Sequence, residues 1–213
     1  MTSTTDMDTF LQPTFFMNSD SPEISEFVKM NCSNETDPKR IAISLFNAVR
    51  DRIIYDPYRF NLKPEHLKAS YIQSQKRAFC IQKAVLLAAA ARAANIPSRL
   101  GFADLINHLM GEDLKQLLQT NLVAFHGYVE LYIDNQWLKA TPVFDKNLCR
   151  YLNIPVVDFD AENHAIFPLK DKDGNLFMEY IKYHGTFSDI PLEMIVHSIK
   201  QYYPQLMEKN ELI

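Results

Sequence analysis

Residues 77–99 read RAFCIQKAVLLAAAARAANIPSR, and this stretch decides the fold. From Cys80 onward it is rich in alanine and contains neither glycine nor proline until position 97, which favours a long helix. Asn95 suits the left-handed conformation that often ends a helix, and Pro97 cannot continue one. We therefore predict a central helix from Cys80 to about Ala94, followed by a strand over residues 98–103.

Two start signals for helices precede this stretch, each a capping residue followed by proline. The first begins at Pro22 and predicts a helix to about Asn31. The second begins at Pro38 and continues with apolar residues at fourfold spacing, namely Ile41, Leu45, Val49 and Ile53. Residues 58–75 show no clear periodicity, so no element is assigned to them.

Antiparallel strands are predicted after the central helix. Residues 124–133 are rich in aromatic and β-branched side chains, the pattern resumes over residues 136–143, and Asp134-Asn135 suits a two-residue turn between them. Short helical patterns occur at residues 113–119 and at about 191–203. Helices that precede a small antiparallel sheet indicate a segregated α+β fold.

Bulk properties exclude several classes of function. A chain of 213 residues with 47% hydrophobic residues can bury the core of one domain. The net charge of -4 and the scattered basic residues predict no nucleic-acid partner. Three cysteines cannot all pair, which favours reduced thiols in the cytoplasm. We see no export signal and no apolar run long enough for a bilayer, so no membrane association is expected.

Cys80 is the first candidate for chemistry because it lies where the central helix begins. Free N–H groups and the positive end of the helix dipole would face its sulfur, and such a placement favours the thiolate. A lone cysteine is nevertheless more often a small core residue. Cys80 therefore needs a partner before a catalytic role is the better interpretation.

His126 is that partner, since a cysteine followed by a histidine on a later strand is a thiol–imidazole pattern. Alternation along the strand places His126 on the more polar face. A third group should orient the imidazole. If Asp134-Asn135 is the turn, His126 faces Val143, and Thr141 and Asp145 lie on the two diagonals. If the turn is slipped to Asn135-Gln136, Asp145 faces His126 directly, so Asp145 is on the same face in either register. Pro142 weakens this placement because it removes a ladder donor before Asp145.

Several stretches of the chain resemble the transglutaminase-like family of papain-like thiol enzymes. They are Arg77–Cys80, Lys83-Ala84, Ala91–Arg99, His126–Glu130 and Trp137–Lys139. The similarity spans about residues 72–145, and the helix from Pro38 fits the preceding element of the family. The resemblance implies a single papain-like domain over residues 1–213, with a core at about 38–145, an N-terminal helical arm and a C-terminal extension.

The resemblance implies Cys80 as nucleophile, His126 as base and an acidic residue on the strand after Trp137. The family's usual aspartate position holds Thr141, which cannot supply a charge. Two alternatives follow: Asp145 takes over the orienting role, or the chain has kept the fold and lost efficient catalysis. Residues 140–142, 178–180 and 184–187 resemble a bacterial subgroup of the family, which favours Asp145 in a working variant.

The implied activity is cysteine-dependent acyl chemistry on the amide bonds of a peptide or protein. An acyl-thioester on Cys80 would be resolved by water in a hydrolase or peptidase, and by an amine in a transglutaminase-type acyltransferase. We expect no cofactor and no metal. The alternative is a catalytically inactive transglutaminase-like fold that acts as a binding module.

Two weaker hypotheses concern other polar residues. Gln73 and Gln75 are candidates for an oxyanion donor upstream of the cysteine. A zinc site built from Asp104, His108 and His126 with a cysteine is conceivable, although no paired ligand spacing supports it.

Overall fold

The computed structural model describes residues 4–207 of the chain. The helices are α1 (Thr4–Thr9), α2 (Pro22–Cys32), α3 (Pro38–Arg52), α4 (Ala69–Ile72), α5 (Cys80–Ala93), α6 (Glu112–Leu118), α7 (Lys146–Tyr151), α8 (Leu192–Tyr202) and α9 (Pro204–Met207). The strands are β1 (Ile54–Tyr55), β2 (Arg77–Ala78), β3 (Ser98–Asn107), β4 (Leu122–Ile133), β5 (Gln136–Ala140) and β6 (Met178–Phe187). Two short 3-10 helices, Pro57–Arg59 and Pro64–Leu67, lie in the segment without clear periodicity.

A four-stranded antiparallel sheet in the order β5-β4-β3-β6 forms one layer of the fold. Helices α2, α3 and α4 pack against α5, which lies on the sheet, while α8 packs against β4. Strands β1 and β2 add a two-residue parallel pair. The predicted α+β class with a small antiparallel sheet is therefore confirmed. Strand β6 was not predicted, and it extends the sheet beyond β3.

The hairpin of β4 and β5 forms in the predicted register. Asp134 and Asn135 have φ angles of 49° and 64°, as a primed two-residue turn requires, and Glu130 lies opposite Lys139. The second strand is shorter than predicted, because it ends at Ala140 just before Thr141-Pro142. Pro142 has no N–H for a ladder, and pairing between β4 and β5 ends with Val129 opposite Ala140, so the expected pairing of His126 with Val143 is wrong. On the other side of β4, His126 pairs with Ala103 on β3.

Helix α5 lies at the centre of the molecule, as the sequence predicts. All of its residues from Cys80 to Arg92 are buried, and it packs against β4 on one side and against α2, α3 and α4 on the others. It ends where expected, since Asn95 has a φ of 60°. Within residues 4–207, we find no helix that combines the length and the apolar character needed to span a membrane.

Arg92 fixes the N-terminal arm to the end of the central helix. Its guanidinium donates to the carbonyl oxygens of Gln12 and Ser188, at 2.5 and 2.8 Å. The ring of Phe10 packs edge-on against Trp137 with centroids 5.2 Å apart. The arm is thus packed on the sheet.

Candidate active site

Cys80 is the first residue of α5, and its side chain is buried against β4. Its sulfur lies close to the backbone N–H groups of Gly127, Ile81 and Cys80 itself, without the alignment of a regular hydrogen bond. A Cβ atom at position 127 would be 3.0 Å from the Cα of Ile81. Glycine at this position therefore lets β4 approach the helix closely enough for its amide to reach the sulfur.

The protonation state of Cys80 follows from a competition between burial and these amides. Burial is the largest effect and raises the pKa of the thiol, whereas the N–H groups of Gly127, Ile81 and Cys80 lower it. The net pKa lies above the ordinary value of a cysteine. The expectation that the helix start favours the thiolate is thus wrong for the free protein, because desolvation outweighs the amides.

His126 immediately precedes Gly127 on β4, so its backbone lies next to the glycine that the Cys80 sulfur approaches. That the His126 imidazole reaches the thiol stays a prediction. The imidazole is 2% exposed and lies against the rings of Phe167 and Tyr180, with centroids 5.3 and 6.4 Å away. Burial lowers its pKa to about 3, so the ring is neutral at pH 7. Its Nε2 atom is buried and has no hydrogen-bond partner.

Thr141, at the usual aspartate position of the family, lies beside Tyr180. The Tyr180 hydroxyl approaches Thr141 Oγ1 without the alignment of a regular hydrogen bond, so this buried Oγ1 has no partner. The same hydroxyl accepts the N–H of Phe167 at 3.4 Å. Tyr180 therefore lies beside both Thr141 and the ring of His126. Because Tyr180 is on strand β6, which was not predicted, this arrangement was not predicted either.

Asp145 occupies a different local position from the one that strand alternation implies. Its Oδ1 caps α7 by accepting the N–H groups of Asn147 and Leu148, at 3.1 and 3.0 Å. Its Oδ2 is buried and unpaired. Because the strand ends before Pro142, the pairing register cannot be extended to Asp145, and its role as the orienting residue stays a prediction.

Lys83 ties the segment before Asp145 to the central helix. Its ammonium is fully buried and donates to the carbonyl oxygens of Arg50, Ile53 and Val143, at 2.9, 2.5 and 2.7 Å. Burial lowers the pKa of Lys83 to about 7, while the negative charge of Asp145 opposes this shift. Lys83 therefore fixes the end of α3 and the segment after Pro142 to the same helix as Cys80.

A histidine–carboxylate pair beside Phe125 was missed from the sequence. Buried Asp104 on β3 accepts hydrogen bonds from the N–H of Phe125 and from His184 Nε2, at 2.9 and 2.8 Å. The His184 ring stacks on Phe125, with centroids 3.9 Å apart. Phe125 has a φ of 50°, a strained conformation for a bulky residue, and directly precedes His126. Asp104 and His184 thus hold the backbone that enters the site.

Replacing Asp104 with alanine is expected to lower the free energy of unfolding by about 2 to 4 kcal/mol, because two buried donors lose their acceptor. Asp104→Asn keeps an oxygen for the Phe125 N–H, so we expect a smaller loss. Urea unfolding of the two variants measures the difference. Equal losses of unfolding free energy would show that the hydrogen bond accepted from the Phe125 N–H is not what stabilises this backbone segment.

The zinc hypothesis receives no support from the geometry. Asp104 is paired with His184, and His108 Nε2 lies 3.0 Å from Glu179 Oε2. In residues 4–207, no group of three or more His, Cys, Asp or Glu side chains is arranged to hold a metal ion.

Two glutamines were considered as oxyanion donors. Of these, Gln75 donates to the carbonyl oxygen of Tyr71 and lines a pocket whose wall does not include Cys80.

Comparison with known proteins places this chain in a family. The model of the transglutaminase-like superfamily matches residues 26–142, more than half of the 213 residues. The chain therefore belongs to the transglutaminase-like superfamily. No curated protein matches it.

Two solved structures are similar to this one. A candidate cysteine protease from Cytophaga hutchinsonii has 18% identity and a TM-score of 0.50 over 64% of this chain and 42% of its own. The periplasmic domain of TgpA from Pseudomonas aeruginosa has 18% identity and a TM-score of 0.45 over 62% of this chain and 45% of its own. The chain thus spans less than half of either protein, and the first likeness shows a shared fold alone.

Proposed function

We propose that this protein performs acyl chemistry on amide bonds through a thioester on Cys80. The observation that carries the proposal is the close approach of Gly127 on β4 to the first turn of α5, which puts the Cys80 thiol at the start of a central helix and beside the strand backbone that His126 belongs to. The buried Nε2 of His126 supports it as well, because a buried polar atom without a partner calls for a functional explanation.

In the proposed reaction the neutral imidazole of His126 accepts the thiol proton while the sulfur attacks the carbonyl carbon. An S–C bond forms, and the carbonyl oxygen takes up negative charge, which the free N–H groups at the start of α5 can stabilise. The C–N bond then breaks, and His126 returns the proton to the departing amine. Water or a second amine attacks the thioester, releases the acyl group and restores the thiol.

Burial of both groups does not prevent this step. The thiol and the imidazole are each held neutral because a single charge in this environment is poorly solvated. Proton transfer between them creates two opposite charges at once, and their attraction offsets part of the desolvation. A neutral resting pair is therefore compatible with a nucleophile that forms only during attack.

One observation favours the alternative, an inactive member of the fold that binds a partner. A histidine with a pKa of about 3 is a weak base, and the unpartnered Nε2 gives it no carboxylate to strengthen it. Thr141 at the usual aspartate position fits this alternative. The two functions differ in whether Cys80 reacts.

Competitive alkylation near pH 7 tests the proposal, with mass spectrometry of all three cysteines. We expect Cys80 to react with iodoacetamide faster than Cys32 and Cys149, because His126 can accept its proton. Cys32, which is only partly buried, is the internal control for access, and burial raises the pKa of Cys149 to about 11. Labelling of Cys80 no faster than that of Cys32 would favour the inactive module.

The identity of the third residue can be tested separately. Asp145→Asn keeps the cap of α7 but removes the charge, so we expect it to slow acylation of Cys80 by at least about tenfold if Asp145 orients His126. Asp37→Asn at the cap of α3 is the matched control. If Thr141→Val or Tyr180→Phe slows the reaction and Asp145→Asn does not, the hydroxyl pair holds the imidazole instead.

Hydrolysis and transfer can be told apart by their products. A glutamine-containing peptide and a fluorescent primary amine are offered together, with water in excess. Incorporation of the amine identifies an acyltransferase, and release of free acid alone identifies a hydrolase.

A further inference from the structure

The Cys80 side chain forms part of the wall of an apolar pocket of about 220 Å³. The pocket lies between the start of α5, helix α6 and the C-terminal helices. Its lining is aromatic and aliphatic, including Tyr55, Phe60, Phe79, Leu117, Leu118 and Leu206. Of the described residues that line it, none carries a charge at pH 7.

Tyr203, one of the few polar side chains in this wall, already has hydrogen-bond partners. The hydroxyl of Tyr203 accepts the Ala124 N–H at 2.7 Å and donates to the carbonyl oxygen of Leu122 at 2.8 Å. Burial raises the pKa of Tyr55 well above its ordinary value, so this phenol stays neutral. A charged occupant would lose its water here without meeting a side chain of opposite charge.

The thiol determines which part of a substrate occupies the pocket. A carbonyl carbon attacked by Cys80 must sit at the sulfur, so a group attached to that carbon can extend into the adjoining space. A cavity of about 150 Å³ lined by apolar side chains can hold benzene. A pocket of about 220 Å³ therefore has room for an aromatic ring or a branched aliphatic group.

We propose that this pocket selects the acyl side of the substrate, and that it takes an aromatic or aliphatic group in preference to a charged one. The inference rests on the proposed function of Cys80. Part of the wall comes from Ile199 on α8 and Leu206 on α9, which lie beyond residues 26–142 that match the superfamily. The selectivity is thus built partly by elements that the superfamily match does not include.

The test uses three p-nitrophenyl esters that share a leaving group and differ in the acyl part: 3-phenylpropanoate, acetate and succinate. We expect kcat/KM for acylation of Cys80 to be at least about 30-fold higher for 3-phenylpropanoate than for acetate, and lowest for succinate. Cys80→Ala supplies the background rate of each ester.

Leu117→Lys places a cation at the half-buried wall of the pocket and is expected to reverse the order of 3-phenylpropanoate and succinate. Leu109→Lys, at an exposed position outside the pocket, is the matched control and should leave the order unchanged. The reversal separates a local effect of charge from a general loss of stability, which would slow all three esters together.

The outcomes separate the two proposals. Acylation of Cys80 at equal rates by all three esters, or fastest by succinate, would overturn the selectivity and leave the acyl chemistry intact. Identical rates for the wild-type protein and Cys80→Ala with every ester would overturn the proposed function, and the inference with it.

Discussion

Replacing His126 with glutamine is expected to slow acylation of Cys80 at pH 7 by about 10²- to 10⁴-fold, the usual contribution of a positioned base. The effect should be large because burial raises the pKa of the thiol, so little thiolate exists without a base. At a pH above the thiol pKa, solvent removes the proton and the variant should approach the wild-type rate.

The dependence of the rate on pH distinguishes this role from a structural one. Stopped-flow acylation by the 3-phenylpropanoate ester, measured from pH 6 to pH 11, should show a gap between the two proteins that narrows as pH rises. A gap that stays constant would indicate that the substitution distorts the site. His197→Gln, on the exposed face of α8, serves as the control. An unchanged rate at pH 7 would remove His126 from the mechanism.

The second large effect concerns stability in acid. The pKa of His126 is about 3 in the folded chain, against about 6.5 when unfolded. Below pH 6.5 the unfolded chain therefore binds a proton that the folded chain does not, and the free energy of unfolding falls as pH falls. The slope approaches about 1.4 kcal/mol per pH unit, or about 2 kcal/mol between pH 6.5 and pH 5, and the loss ends near pH 3.

Urea unfolding of the wild-type protein and of His126→Gln at several pH values measures this contribution. The variant is expected to lose about 2 kcal/mol less than the wild type between pH 6.5 and pH 5, whatever its stability at pH 7. Each protein is compared with itself at different pH values, so the effect of the substitution on the unfolding free energy at any one pH cancels. Parallel curves for the two proteins would mean that His126 is not buried as a neutral base.

The parts of the fold that the sequence predicts are those determined by neighbours in the chain. Asp134-Asn135 favours a primed turn through local backbone preference, and the register of the hairpin follows from it. The ends of α5 follow from Cys80 and Asn95 in the same way. To predict that Cys80 lies against the strand of His126, the family resemblance was needed as well, because local sequence does not determine where a helix packs on a sheet.

The parts that the sequence did not predict depend on distant partners. Strand β6 has no clean alternation, since exposed Ile181 and Tyr183 interrupt it at the edge of the sheet. Asp104 and His184 are 80 residues apart, so no spacing rule connects them. The register of β5 cannot be extended to Asp145, because the strand ends at Ala140, before Pro142, and the role of Asp145 stays a prediction.

The packing of α5 also limits how the sequence can vary. Ala88, Ala89, Ala90 and Ala91 are all 0% exposed, so the central helix is thinnest where other elements meet it. Each added methylene there would force neighbouring backbone to move, at a cost of about 1 to 3 kcal/mol. A saturation mutagenesis library should therefore retain almost only alanine, glycine or serine at these four positions, however the protein's substrate preference evolves.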